Sequence, residues 1–304
     1  MKRFLIRTSI CAIAAIGICF LYLIIIGLCY GNKFDPYYGR LTSMHPQGLI
    51  IGSSRSAQAL EPKYIAENLY NFSFTLAHSS YDQSYLNFVK QYHVIDGNNK
   101  SKSLIHILSV DPWTIRTSHQ KKDSIINVGS FTEELVLPPM KPNLEYLVRF
   151  GGPALLFDFL NYGHINETGR LEMPKKVKDT PAEFRKILDE KLDSYRQKSE
   201  YTDGYVSEKR LQVMRDLIEY LQQDGEVYLV RLPVHPEMLA LENQICPEFN
   251  ELMRSLSTEM NSPYFMLSDF SYETNDGNHI ANSESQRISE QIRDSIKVYS
   301  HIIQ

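Results

Sequence analysis

Beyond residue 47, short apolar runs alternate with longer stretches whose apolar positions recur every three or four residues. The runs Gly48–Ile51, Asn68–Phe74, Leu104–Val110, Val227–Leu232 and Tyr264–Leu267 read as buried strands. The stretches Tyr81–Tyr92, Ala182–Ser199, Ser207–Gln223, Glu237–Met260 and Ser283–Ile303 read as amphipathic helices. Apolar strands separated by such helices imply a parallel sheet covered on both faces, a three-layer α/β/α architecture. Ligands of that architecture bind beyond the carboxyl ends of the strands.

The first thirty residues follow another pattern. No charge occurs from Thr8 to Asn32, and nearly every side chain from Ile10 to Tyr30 is apolar. About 20 such residues span a bilayer as a helix. A cleaved signal peptide is the alternative, but its apolar region usually runs only about 7–15 residues, and no small-x-small cleavage site follows. An uncleaved anchor over residues 10–30 is therefore expected, with Lys2, Arg3 and Arg7 keeping the N-terminus cytoplasmic. The expected organisation is a cytoplasmic end and transmembrane anchor over 1–31, a Pro- and Gly-containing linker over 32–47, and one domain over 48–304. That domain is placed outside the cytoplasmic membrane.

The stretch from about 113 to 203 is long for a single crossover and carries Pro138, Pro139, Pro142, Gly151, Gly152 and Pro153. It reads as an insertion of helices and loops, a lid or a partner surface. Its Lys175, Lys176 and Lys178 read as a solvated turn.

The chain has 304 residues and a formal net charge of −4. With three cations and no acid before the span ends, the remainder is more acidic still, which argues against nucleic acid as a partner. Of four cysteines only Cys246 lies outside the span and its border, so the soluble part offers no internal disulfide. No His-Glu-x-x-His, P-loop or dinucleotide fingerprint occurs, and no metal or cofactor is expected.

Two short segments carry candidate chemistry. Gly52-Ser53-Ser54-Arg55 follows the first strand, and Asp276-Gly277-Asn278-His279 precedes the last helix. A serine hydroxyl needs a neighbouring base to become a nucleophile. A histidine oriented by a carboxylate is the usual one. The structural use of the same residues is a capped strand-to-helix turn and an Asx-type loop.

In that order, the two blocks resemble the SGNH/GDSL hydrolase superfamily, and the Gly-Ser-Ser variant resembles its membrane-anchored branch of D-alanyl-transfer and polysaccharide O-acetylation proteins. The resemblance implies a flavodoxin-like SGNH fold with Ser54 as nucleophile, His279 as base and Asp276 as its orienting carboxylate. It further implies an acyl-ester or glycan substrate of the cell envelope and a membrane-bound O-acyltransferase as partner.

Two positions depart from the family pattern. Leu76 stands where a glycine is expected, although its backbone N–H can still donate. Asp111 stands where an asparagine usually faces the oxyanion, and an ionised carboxylate only accepts hydrogen bonds. Losing one such donor costs about 10²–10³ in rate. Asp111 is alternatively a turn former, and Trp113 is a sugar-stacking or core residue. Arg231 and His235, after the fourth strand, read as an anion holder and a polar wall, or as a salt bridge and a cap. A catalytically silent SGNH-like binding or assembly protein is the rival reading. Asn71-Phe-Ser and Asn166-Glu-Thr match glycosylation sequons that are common by chance.

Overall fold

The computed structural model describes residues 1–29, 38–75, 79–95, 104–119, 139–150, 164–173, 180–198, 203–267 and 271–303. Helix α1, Lys2–Cys29, is the one described helix long and apolar enough to cross a membrane, with a mean hydropathy of 2.5 in its most apolar window. Residues 38–47 of the expected linker lie among the described residues. Helix α2, Tyr38–Leu41, already belongs to the folded domain. Tyr38 meets Tyr146 edge-on at 5.3 Å, and the buried Arg40 guanidinium donates to the carbonyls of Ser73 and Gly169.

Five parallel strands form the sheet: β1 Gly48–Ile51, β2 Leu69–Asn71, β3 Leu104–Ser109, β8 Gly225–Arg231 and β9 Tyr264–Met266. Their spatial order is β2-β1-β3-β8-β9. Counting sheet strands alone, this is the doubly wound order 2-1-3-4-5, whose switch point lies between β1 and β3. Successive strand residues point to opposite faces, and the packing follows that rule. Leu49, Ile51, Leu108 and Leu229 join one apolar cluster, while Ile50, Ile107, Tyr228 and Val230 join another. Helices α4 (Gln83–Tyr92), α8 (Glu208–Leu221) and α10 (Phe249–Glu259) contribute to the first cluster. Helix α11 (Ser285–Ile303) contributes Ile288, Ile292 and Ile296 to the second. The result is the expected three-layer fold.

The single helix expected over Glu237–Met260 is two, α9 (Pro236–Ile245) and α10. Pro247 supplies no N–H and steers Cys246 out of helical geometry, so the first helix stops there.

The crossover from β3 to β8 contains more strand than the sequence suggests. After α5 (Pro112–Ile115), β4 (Arg116–Ser118) pairs antiparallel with β7 (Gly204–Val206), closing the base of the insertion. Helix α6 (Leu144–Phe150) and a two-stranded pair, β5 (His164–Ile165) and β6 (Leu171–Glu172), follow β4 in sequence. Helix α7, Pro181–Arg196, starts at a capping box in which Thr180 and Glu183 satisfy each other's backbone N–H. The basic run at 175–178 lies outside the described residues.

Candidate active site

The turn leaving β1 has no spare room. A Cβ on Gly52 would lie 2.5 Å from Ser56 Oγ and 2.8 Å from Ser109 Cβ, so only glycine fits between β1 and β3. Tyr85 Oη sits 3.0 Å from both the N–H and the carbonyl of Gly52 and ties the turn down. Ser53 then caps helix α3, Ser54–Ala59, by accepting the Arg55 N–H. From Gly48 to Pro62 every residue is buried except Ser54. The fold thus presents one side chain of this segment to the outside, and it is the Ser54 hydroxyl.

The loop before α11 brings its partner. Asp276 Oδ1 accepts the backbone N–H groups of Asn278 (3.0 Å) and His279 (2.9 Å), curling the loop around the carboxylate. Gly277 has φ +81°, and a Cβ there would lie 2.2 Å from Leu188 Cδ1 of α7. His235 N donates to the Gly277 carbonyl at 2.9 Å, and Ser285 Oγ of α11 donates to the Ala59 carbonyl of α3 at 2.7 Å. These ties set the two segments against each other.

The outcome is a continuous hydrogen-bonded chain. Ser54 Oγ lies 2.8 Å from His279 Nε2, and His279 Nδ1 lies 2.9 Å from Asp276 Oδ2. A carboxylate only accepts, so Nδ1 bears the proton and Nε2 is left to accept the Ser54 hydroxyl. Burial pushes the His279 pKa down; Asp276 opposes that, and Lys191 and Arg55 push it further down. Burial alone would raise the Asp276 carboxyl, but hydrogen bonds and charge from His279 and Lys191 hold it well below the usual carboxylate range.

Beneath the serine lies a buried ionic cluster. Arg55 contacts both Glu242 and Asn278 Oδ1, and its Nη1 lies 3.9 Å from Asp111 Oδ2. Arg231 binds Glu242 at 2.9 Å and Asn250 at 2.8 Å. Trp113 Nε1 donates to Glu242 at 3.1 Å. Burial raises the Asp111 pKa and Arg55 counters it. Glu242 is held low because Arg55 and Arg231 outweigh its burial.

The seven candidate positions therefore separate. Ser54, His279 and Asp276 converge. Asp111 is the N-cap of α5, accepting Trp113 N at 3.0 Å, Thr114 N at 3.2 Å and the Ser53 hydroxyl at 3.0 Å. It forms the floor of the site and faces donors on every side. Arg231 lies buried under the site rather than in it. His235 is half-buried, caps α9 through Nδ1 and meets the Phe184 ring at 5.9 Å. Leu76 lies outside the described residues. Trp113 packs edge-on against Tyr195 at 4.5 Å, with Lys198 Nζ 5.6 Å from its ring centroid. Neither sequon offers a free amide. Asn71 is fully buried, with Nδ2 donating to the carbonyls of Ser56 and Leu60, and Asn166 Nδ2 donates to Glu61 and Glu172.

Two residues with no assigned role in the sequence join the site. Asn278 turns Oδ1 toward Arg55, which has only donors, so its NH₂ faces His279 Nε2 at 3.3 Å. Lys191 of α7 sets Nζ 3.0 Å from Asp276 Oδ2. Asn278 stood inside the recognised block without a task. Lys191 is 85 positions before Asp276, and no local signal marks it.

At the opposite, amino-terminal end of the sheet, His93, His106 and Asp224 bring three ligand-type atoms within 4.8 Å of one another, one such group among the described residues. His106, for its part, has no free lone pair to offer a metal. Leu49 N–H donates to His106 Nδ1 at 3.1 Å, so Nε2 carries the proton and gives it to Asp224.

No protein-family model matches the chain, no curated protein matches it, and no solved structure matches it.

Proposed function

We propose that the chain is a membrane-anchored serine esterase or O-acyltransferase of SGNH type, acting outside the cytoplasmic membrane on acyl esters of a cell-envelope glycan. One observation carries the reading: the unbroken Ser54–His279–Asp276 hydrogen-bond chain at the carboxyl-end switch point of the sheet. Ser54 Oγ attacks the ester carbonyl while its proton passes to His279 Nε2, and Asp276 stabilises the imidazolium. The departing alcohol takes that proton and leaves an acyl-serine. A second hydroxyl, deprotonated by His279, then attacks the acyl-serine and regenerates the serine. Water as acceptor gives hydrolysis; a sugar hydroxyl gives transfer.

Asp111, committed as an acceptor, supplies no oxyanion donor. The Asn278 amide, oriented by Arg55, stands 3.3 Å from His279 Nε2 and is the side-chain donor this reading assigns to the oxyanion. Helix α1 with Lys2, Arg3 and Arg7 on its leading end supports the anchor and its direction. The envelope substrate and a membrane-bound O-acyltransferase partner rest on the SGNH resemblance.

The test is covalent labelling of the full chain in detergent by a fluorophosphonate, beside turnover of an activated ester, with Ser54→Ala as control. Labelling that disappears in Ser54→Ala supports the reading. A folded protein with neither label nor turnover supports the silent binding protein instead.

A further inference from the structure

Helix α7 belongs to the insertion, yet it touches the Asp276–His279 loop twice. Leu188 fills the space that a side chain at Gly277 would need. One turn on, Lys191 Nζ meets Asp276 Oδ2 at 3.0 Å. The Lys191 side chain is 27% exposed, against 78% for Lys186 on the same helix, so it is folded inward rather than solvated. Leu188, Leu192 and Tyr195 pack with Val234, Met238 and Leu241, which fixes the face of α7 that carries it.

We propose that Lys191 is a positioning residue of the serine site, holding the Asp276 carboxylate from the insertion side while His279 holds it from the other. Its catalytic meaning rests on the acyl-transfer reading above. The Asp276 carboxylate is shared: Oδ1 takes two backbone N–H groups, and Oδ2 takes both His279 Nδ1 and Lys191 Nζ. A fixed ammonium there stops the carboxylate from turning and draws part of its charge away from the imidazole. The charged groups facing His279 are Asp276 on its own loop, Lys191 from α7 and Arg55 from α3, with Asp111, Glu242 and the Tyr195 hydroxyl behind Arg55. Of these, Lys191 and Arg55 work with burial to keep the imidazole neutral, and Asp276 works against them. The insertion therefore helps set the acidity at which the base is ready, in addition to walling the site.

The test follows the His279 ring by NMR in the full chain in detergent micelles, with ¹³C-labelled histidine and the signal assigned by its loss in His279→Gln. The titration is run in the Ser54→Ala background, so it needs no turnover. Lys191→Met is expected to move the His279 midpoint upward, and Lys191→Arg to keep it near that of the parent. In the serine-containing protein, Lys191→Met should slow fluorophosphonate labelling several-fold at mildly acidic pH and little at alkaline pH. A His279 midpoint that stays or falls in Lys191→Met overturns the proposal. Should Lys191→Met not fold, Lys191→Gln gives the same reading. Failure of all variants to label, with the midpoint still shifted, would sink the acyl-transfer reading and leave the Lys191 assignment standing.

Discussion

The hydroxyls of Ser53 and Ser54 are one peptide apart and serve different partners: Ser53 donates to Asp111 Oδ2 at 3.0 Å, and Ser54 meets His279 Nε2 at 2.8 Å. The two serines should therefore fail differently. Ser54→Ala is expected to abolish labelling and lower turnover by on the order of 10⁴-fold or more, with an unchanged denaturation midpoint. Ser53→Ala is expected to keep the label but lose about 1–3 kcal/mol of stability, through a lost helix cap and an acceptor left short on Asp111. Denaturant titrations followed by circular dichroism, run beside the labelling assay, separate the two.

Asp276→Asn should preserve the fold and lower turnover by about 10⁴, because an amide can favour the wrong imidazole tautomer. A variant that retains full rate would show that His279 needs no carboxylate here.

Arg55 is the hub under the site, and its removal should be among the costliest single changes. Arg55→Met leaves Glu242 and Asp111 buried with less counter-charge, at about 3–5 kcal/mol for a broken buried pair. It also frees the Asn278 amide to turn. Asn278→Ala tests the amide more cleanly, with an expected fall of about 10²–10³ in turnover if it serves the oxyanion, read as kcat against KM.

The pH dependence has two parts with stated signs. On the proposed reaction His279 must be neutral, and burial and two cations depress its pKa, so the acid limb of kcat/KM should lie below the ordinary imidazole value. Stability responds to a second histidine. Burial lowers the His45 pKa to about 4, partly opposed by its hydrogen bond to the Arg40 carbonyl. The unfolded chain then binds a proton that the folded one refuses. Stability is lost as pH falls from the unfolded value of about 6.5 to about 4, by on the order of 3 kcal/mol. His45→Gln should flatten that part of the curve, and urea midpoints measured across the window check it.

Gly277→Ala should loosen the contact between α7 and the Asp276–His279 loop, since the new methyl meets Leu188 in a left-handed turn. Adding Leu188→Val should restore part of the lost thermal stability and none of the backbone strain. Equal melting temperatures for the single and double variants would contradict the assigned clash.

Much of this was legible in the chain because it is local. Each of the five sheet strands holds a short apolar run, and burial in the sheet is what such runs favour. The short pairs β4 with β7 and β5 with β6 left no signal, because two- and three-residue strands lie below any periodicity. The break at Pro247 was readable yet overridden by the amphipathic pattern on either side. At the site, Ser54, His279 and Asp276 were marked by compact blocks. Asp111 and Arg231 were not separable from substrate-facing residues, since charge in a sequence does not reveal which way a side chain turns. Lys191 was invisible because only the docking of a distant helix gives it a partner.

Trp113 is the chain's single tryptophan, and it sits where α7 meets the ionic floor: its indole N–H is on Glu242 and its edge on Tyr195. Excited at wavelengths beyond tyrosine absorption, the protein therefore emits from one ring, placed on the seam between the insertion and the α/β core. Any event that parts that seam, whether an arriving polymer or a binding neighbour, will change the colour and brightness of that light, so occupancy can be watched without attaching a dye.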